Sequence, residues 1–330
     1  HVKIGIIGLG FMGATHLGAF WKMEGVQVRA VCTENAVALT GDLSKTGGNL
    51  GRQGGVYDFS AVTKYQRWQD LVRDPELDAI DICLPTDLHE PVTIAALAAG
   101  KHVLCEKPMA LTTGDCAHMI AEAEKQKRVL MIGQVLRFWP AYQYLQKFGK
   151  ENEYGKLRAA TFVRRCGIPN WSRWLPVEAR SGGALLDLLV HDIDQALLLC
   201  GLPERVAAKK LGDVDGVAAT LIYPGGPEVR IQGGWFAADT PFSMSFQART
   251  ERAELELTAD GLVQNDAEGK RTKIEITGDG YDAEVSYFVE CCRAGRHPDL
   301  CPPRASAQAV KVALLLKEAR ETGEQVKCKD

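Results

Sequence analysis

Apolar and polar positions change their period once along the 330 residues of this chain. Up to residue 133, apolar runs over 2–7, 27–32, 79–84, 102–105 and 129–133 alternate with stretches of helical period. The helices start at Phe11, end before Pro75, or run over 89–99 and 113–127, and Gly100 closes the third. This alternation predicts an α/β domain with a doubly wound, six-stranded parallel sheet and helices on both faces. Beyond residue 133, period-two segments at 157–165, 206–211, 216–223, 228–236, 242–248 and 253–258 predict an open, mainly antiparallel sheet. One long helix over 183–200 interrupts them, and helices over 283–294 and 305–321 follow. The expected domains are therefore 1–133, α/β, and 134–330, α+β.

Composition narrows the partners rather than the fold. A hydrophobic content of 46%, a net charge of -3 and a pI near 6.2 give no electrostatic reason to bind nucleic acid or an anionic membrane. A small molecule is the expected ligand. No apolar stretch approaches the roughly 18 to 20 residues that span a bilayer, and the first residues read as a strand rather than a signal peptide. The expected compartment is the cytoplasm, with a removed leader left open. Several of the ten cysteines sit in apolar runs, which fits reduced thiols, and no C-x-x-C pair supports a structural zinc.

The first strand runs into Gly8-Leu9-Gly10-Phe11-Met12-Gly13 and then a helix, the context a dinucleotide-binding turn requires. Its glycines permit a tight turn, close approach of backbone to a pyrophosphate and packing of helix on strand. This is the Rossmann arrangement. About twenty residues further on, where an acid would hold the adenosine ribose, stand Thr33 and Glu34. Glu34 would repel a 2′-phosphate; Thr33 with Lys45 or Arg52, from a glycine-rich loop over 47–55, would accept one. NAD is favoured and NADP remains open.

Strand 102–105 leads into Glu106-Lys107-Pro108, which puts a lysine at the carboxyl end of a parallel strand, where ligand crevices lie. There an ammonium group can donate to a substrate oxygen and stabilise a developing alkoxide. A surface Glu-Lys pair is the alternative. In the apolar helix over 183–200, Asp187 and His191 stand four apart and so share a face, with Asp194 continuing the stripe. A carboxylate beside an imidazole suits a general acid/base, but equally a mutually satisfied buried pair. A metal on that stripe is a third reading, disfavoured because no further histidine is nearby; none is expected. The segment before this helix supplies Arg164, Asn170, Trp171 and Trp174, donors and rings of the kind that recognise polyols. Arg137-Phe138 and Trp235-Phe236 end elements that can line the same cleft, and His16, His89 and His118 read as packing or helix-terminus residues.

Taken together, the glycine loop with His16, the segment Leu84-Pro85-Thr86-Asp87-Leu88-His89, the run from Ala99 to Pro108, and Gly182-Gly183 through Asp187 and His191 resemble the Gfo/Idh/MocA family, the glucose-fructose oxidoreductase and inositol dehydrogenase group. The run Ala-Gly-Lys-His-Val-x-x-Glu-Lys-Pro is its most specific part. The resemblance implies a bound NAD(P), a second domain whose sheet builds dimers or tetramers, and hydride transfer at a hydroxyl or carbonyl carbon of a sugar, inositol or related polyol. It implies that His191 takes the hydroxyl proton, Lys107 donates to the same oxygen and Asp187 orients substrate and imidazole. Leu84, Pro85, His89 and Glu106 join Lys107 and the glycine loop as cofactor positions. Thr33 replaces an aspartate common in relatives, and Leu84-Pro85-Thr86 replaces Thr-Pro-Asn. Two other functions are carried by this fold: a non-catalytic NAD(P)-binding sensor, and a glycosidase that retains NAD.

Overall fold

Strand β1 (Val2–Ile7) turns at Gly8 into helix α1 (Phe11–Trp21) and returns as β2 (Val26–Cys32) in a computed structural model that describes residues 1–47 and 54–328. Arg52 and most of the glycine-rich loop lie outside those residues. The series continues through β3 (Thr63–Tyr65), α2 (Trp68–Val72), β4 (Ala79–Ile82), α3 (His89–Ala98), β5 (His102–Glu106), α4 (Thr113–Gln126) and β6 (Leu130–Gly133). All six strands are parallel, in the order β3-β2-β1-β4-β5-β6. β4 and β6 are buried at every residue, as expected of parallel strands covered on both faces. The chain winds outward from β1 in both directions, so the loops after β1 and β4 meet where strand order reverses. Ligands of such sheets bind there. Local chemistry sets the ends of α4: Thr112 accepts from Asp115 N at 3.1 Å, and Lys127 closes the helix in the left-handed region at φ 53°.

After β6 the elements are α5 (Pro140–Lys150), β7 (Leu157–Gly167), α6 (Glu178–Ser181), α7 (Gly183–Asp187), α8 (Val190–Cys200), β8 (Arg205–Leu211), β9 (Asp215–Ile222), β10 (Glu228–Phe236), β11 (Ser243–Thr250), β12 (Ala253–Thr258), β13 (Gly261–Asp266) and β14 (Arg271–Ile274). Helices α9 (Gly280–Ala294) and α10 (Pro303–Thr322) follow, then β15 (Val326–Lys327). The nine strands β7 to β15 form one sheet in the order β14-β13-β12-β11-β7-β10-β9-β8-β15, antiparallel except where β10 lies parallel to β7. Helix α5, strand β3 and the hairpin β13–β14 escape the periodicity reading.

Two compact units result, His1–Val135 with Asp279–Ala307, and Leu136–Gly278 with Gln308–Asp330. A single boundary at 133/134 does not describe them, because α9 packs against α1 and so belongs with the first sheet. Among the described residues, no helix is long and apolar enough to cross a membrane.

The expected continuous helix over 183–200 is broken. The Ala184 carbonyl accepts from both Leu188 N and Leu189 N at 3.0 Å, and the second bond spans five residues, a π-type widening. It ends α7 at Asp187 and restarts the helix at Val190, so Asp187 and His191 fall in two successive helices rather than in one.

Candidate cofactor cradle and active-site residues

At the reversal of strand order, each glycine of the turn answers a different demand. Gly8 has φ +91°, and a Cβ there would stand 2.2 Å from the Cys83 carbonyl oxygen of the β4 turn. A Cβ on Gly13 would stand 1.8 Å from Gly8 O, so only glycine lets α1 close on the loop. A Cβ on Gly10 would meet nothing within 4 Å among the described residues beyond its own chain neighbours. Gly10 begins α1 with no side-chain cap for the first N–H groups of the helix. Donors at a helix start beside a bare glycine fit a pyrophosphate. Phe11 and Met12 open the helix, half-buried.

Thr33 follows β2 half-buried, its Oγ1 accepting from Asn35 N at 3.1 Å, and Glu34 beside it is exposed, as is Lys45. Leu84 and Pro85 follow β4, both half-buried. His89, expected at the cofactor, ties two backbone segments together. It is buried, and its Nδ1 and Nε2 lie 2.7 and 2.8 Å from the carbonyl oxygens of Pro108 and Leu84. Burial lowers its pKa and outweighs the two carbonyls, which favour the charged ring.

Lys107 stands half-buried at the end of β5, before a cis bond to Pro108. Glu106, expected at the cofactor, is turned inward. Its Oε2 accepts from Lys107 N at 3.1 Å, and its Oε1 lies 3.2 Å from His16 Nε2. His16 Nδ1 lies 3.0 Å from both carboxylate oxygens of Asp81, and its Nε2 lies 3.8 Å from Glu284 Oε2. All four side chains are buried. Burial opposes a charge on His16, yet Asp81 and Cys83 overcome it and hold the imidazole well above its ordinary range. Burial pushes Glu284 well above the carboxylate range. Asp81 and Glu284 were not read from sequence as functional. A lone acid inside the apolar strand Ala79-Ile80-Asp81-Ile82 was the available signal.

In the second unit, Asp187 ends α7 and His191 lies in the first turn of α8, both half-buried. Helix α7 is held at its start: Asp215 Oδ2 accepts from Ala184 N at 2.7 Å, while its Oδ1 accepts from Arg320 Nη1 at 2.7 Å.

Two arginines read as substrate ligands belong to the core. Arg164 is 2% exposed; its Nε and Nη2 donate to Asp192 at 2.8 and 3.2 Å, and Nη2 also reaches Tyr142 Oη at 3.1 Å. Arg137 donates from Nε and Nη2 to Asp194 at 2.8 and 2.7 Å. Buried charges require such pairing, and it removes Asp194 from the metal reading. Trp235 also packs in the interior, with Cys166, Ala184 and Leu188. Of the aromatic loop, Asn170 and Trp171 are exposed, Trp171 by 68%, and Trp174 is half-buried.

Residues 2–134 match the family model described as "Oxidoreductase family, NAD-binding Rossmann fold", and residues 142–258 match the "GFO/IDH/MocA C-terminal domain". The chain belongs to the Gfo/Idh/MocA family. It is similar to the myo-inositol 2-dehydrogenase of Thermotoga maritima, 26% identical over 96% of this chain and 94% of that protein. It is also similar to the trans-1,2-dihydrobenzene-1,2-diol dehydrogenase of Mus musculus, 27% identical over 80% and 82%. Two solved structures share the fold over the whole of both chains: a levoglucosan dehydrogenase in complex with NADH and levoglucosan, at a TM-score of 0.84 and 20% identity, and an oxidoreductase domain protein from Kribbella flavida, at 0.85 and 20%. This Gfo/Idh/MocA chain therefore joins the Rossmann oxidoreductase unit to the family's C-terminal domain.

Proposed function

We propose that this chain oxidises a secondary hydroxyl of a sugar, inositol or related polyol, or reduces the corresponding carbonyl, with NAD as partner. The observation that carries the reading is the bare Gly10 at the uncapped start of α1, in the unit where Lys107 directly follows β5. Relatives named as inositol and levoglucosan dehydrogenases support the substrate class. Bound NAD supplies the hydride acceptor. His191 takes the hydroxyl proton, Lys107 donates a hydrogen bond to the same oxygen as charge develops on it, and Asp187 orients the imidazole and the substrate. Asn170, Trp171 and Trp174 supply donors and ring faces for the polyol. Exposed Glu34, two residues past the end of β2, supports NAD over NADP, because a carboxylate there repels a 2′-phosphate.

A screen of polyols with NAD and with NADP tests the class, read as absorbance of the reduced nicotinamide. Lys107→Met is expected to lower turnover at least about 100-fold while NAD still binds; undiminished turnover overturns the assignment. Hydrolysis of aryl glycosides without net reduction of NAD would replace it with an NAD-retaining glycosidase. We also propose a homodimer or homotetramer through the open face of the nine-stranded sheet, where Thr220, Arg230, Gln232, Gln247 and Arg249 are exposed. A monomeric mass by light scattering would exclude it.

A further inference from the structure

Four titratable side chains from distant parts of the sequence close on one another beneath Lys107. His16 comes from α1, Asp81 from β4, Glu106 from β5 and Glu284 from α9. His16, Asp81 and Glu284 are wholly buried and Glu106 nearly so. The imidazole is the hub. Its Nδ1 is 3.0 Å from both oxygens of Asp81, while its Nε2 is 3.2 Å from Glu106 and 3.8 Å from Glu284. Cys83 Sγ at 3.6 Å borders the same volume. Gly133, opposite Glu106 on β6, leaves the carboxylate its place, since a Cβ there would stand 2.8 Å from Glu106 Oε1.

Such a cluster is a poor way to gain stability, because apolar residues of similar volume serve as well or better than buried ion pairs. What distinguishes this one is where it ends. Glu106 Oε1 meets His16, and its Oε2 accepts the backbone N–H of Lys107 at 3.1 Å. On the other side of the turn, the His89 ring lies 2.7 Å from the Pro108 carbonyl. The backbone at Lys107 is thus held from below by a carboxylate that has no freedom of its own. Three carboxyl groups around one imidazole cannot all carry charge without solvent, and the proton that relieves them belongs on Glu284, the member farthest from the imidazole.

We propose that His16 and Glu284 are positioning residues: through the Glu106 carboxylate they set the course of the backbone at Lys107, and so the place of its ammonium group. The proposal rests on the reading of Lys107 as partner of the reacting oxygen. Both residues are fully buried, so their removal is expected to act on the chemical step rather than on binding.

The test is Glu284→Leu, which fills the volume without a carboxyl, beside Glu284→Gln, which keeps shape and a donor. In Glu284→Leu, kcat is expected to fall about 10- to 100-fold, the scale of a misplaced catalytic group, with KM and NAD affinity within about threefold and the melting temperature not lowered. Glu284→Gln is expected to recover kcat to within about fivefold of the parent. A second readout does not depend on turnover. Lysines are reductively methylated with 13C, the Lys107 signal is assigned by its loss in Lys107→Arg, and its titration is followed by NMR; it should move in Glu284→Leu and stay in Glu284→Gln. His16→Gln severs the same carboxylate from the other side and is read in the same way, so the outcome does not hang on one variant folding. An unchanged kcat and Lys107 signal in both Glu284→Leu and His16→Gln overturns the proposal, as does a loss of kcat that only follows a loss of thermal stability. If the Lys107 signal moves while Lys107→Met retains full turnover, the positioning network stands and the chemical role given to Lys107 falls.

Discussion

Gly10 and Gly13 are three residues apart, and their substitution should fail in opposite ways. A methyl group on Gly13 would overlap Gly8 O, so Gly13→Ala must force α1 off the turn and should destabilise the fold by about 2 kcal/mol or more, read by urea unfolding. Gly10 has helix-start dihedrals of -75° and -159°, which alanine can adopt, and open space beside it. Gly10→Ala should therefore fold normally but bind NAD at least about tenfold more weakly, because the methyl group occupies the approach to the pyrophosphate. Equal affinity in Gly10→Ala would mean that the cofactor does not lie against this turn. Single residues elsewhere were less readable. Arg164 and Trp235 stand in the sequence like ligand contacts, and only the carboxylate of Asp192 and the apolar company of Cys166 and Leu188 make them interior groups.

The element that decides most in the second unit is the short helix α7. Gly182 and Gly183 enter it with φ of +80° and +75°, and Asp215 caps it from β9 while bonded to Arg320 of α10. Asp215→Ala leaves the Ala184 N–H without its acceptor and should lower stability by about 1 to 3 kcal/mol. It should also reduce kcat, since α7 carries Asp187. Arg320→Ala should do less on both measures, because Asp215 keeps its bond to Ala184 and the lost ion pair is partly exposed. Equal losses would show that the ion pair, not the cap, holds the helix. Period alone drew one helix across 183–200, since the apolar stripe continues through Leu188 and Leu189. The extra bond from Leu189 N to Ala184 O interrupts it without any Pro or Gly to announce the change.

Across the whole molecule, the buried cluster makes a prediction about pH. His16 is held well above the ordinary histidine range, burial being overcome by Asp81 and Cys83, and Glu284 is pushed well above the carboxylate range by burial. Both groups hold protons in the native chain that the unfolded chain has released, so each contributes stability that is lost as pH rises. That stability is complete below the unfolded values, about 4.3 for Glu and about 6.5 for His, and declines as pH passes through the raised native ones. Carboxylates held below their usual range, such as Asp42 and Glu251, act only below about pH 5 and do not overlap. The melting temperature should fall as pH rises above about 6.5, and less steeply in Glu284→Leu. A rise over that interval would contradict the protonated cluster.

At this scale the division between sequence and structure is plain. Alternating strand and helix periods, the glycines after β1 and the Glu106-Lys107-Pro108 corner after β5 are local features. Each is dictated by steric demands within a few residues, so the sequence alone determined the parallel sheet of the first unit, β3 apart, and the place of Lys107 directly after β5. Pairings between distant segments carry no local signature. Arg164 with Asp192, His16 with Asp81, Glu106 and Glu284, and the return of α9 to the first unit were decided by tertiary structure. Burial is what decides them, because a charge withdrawn from water must find its partner wherever the fold brings one.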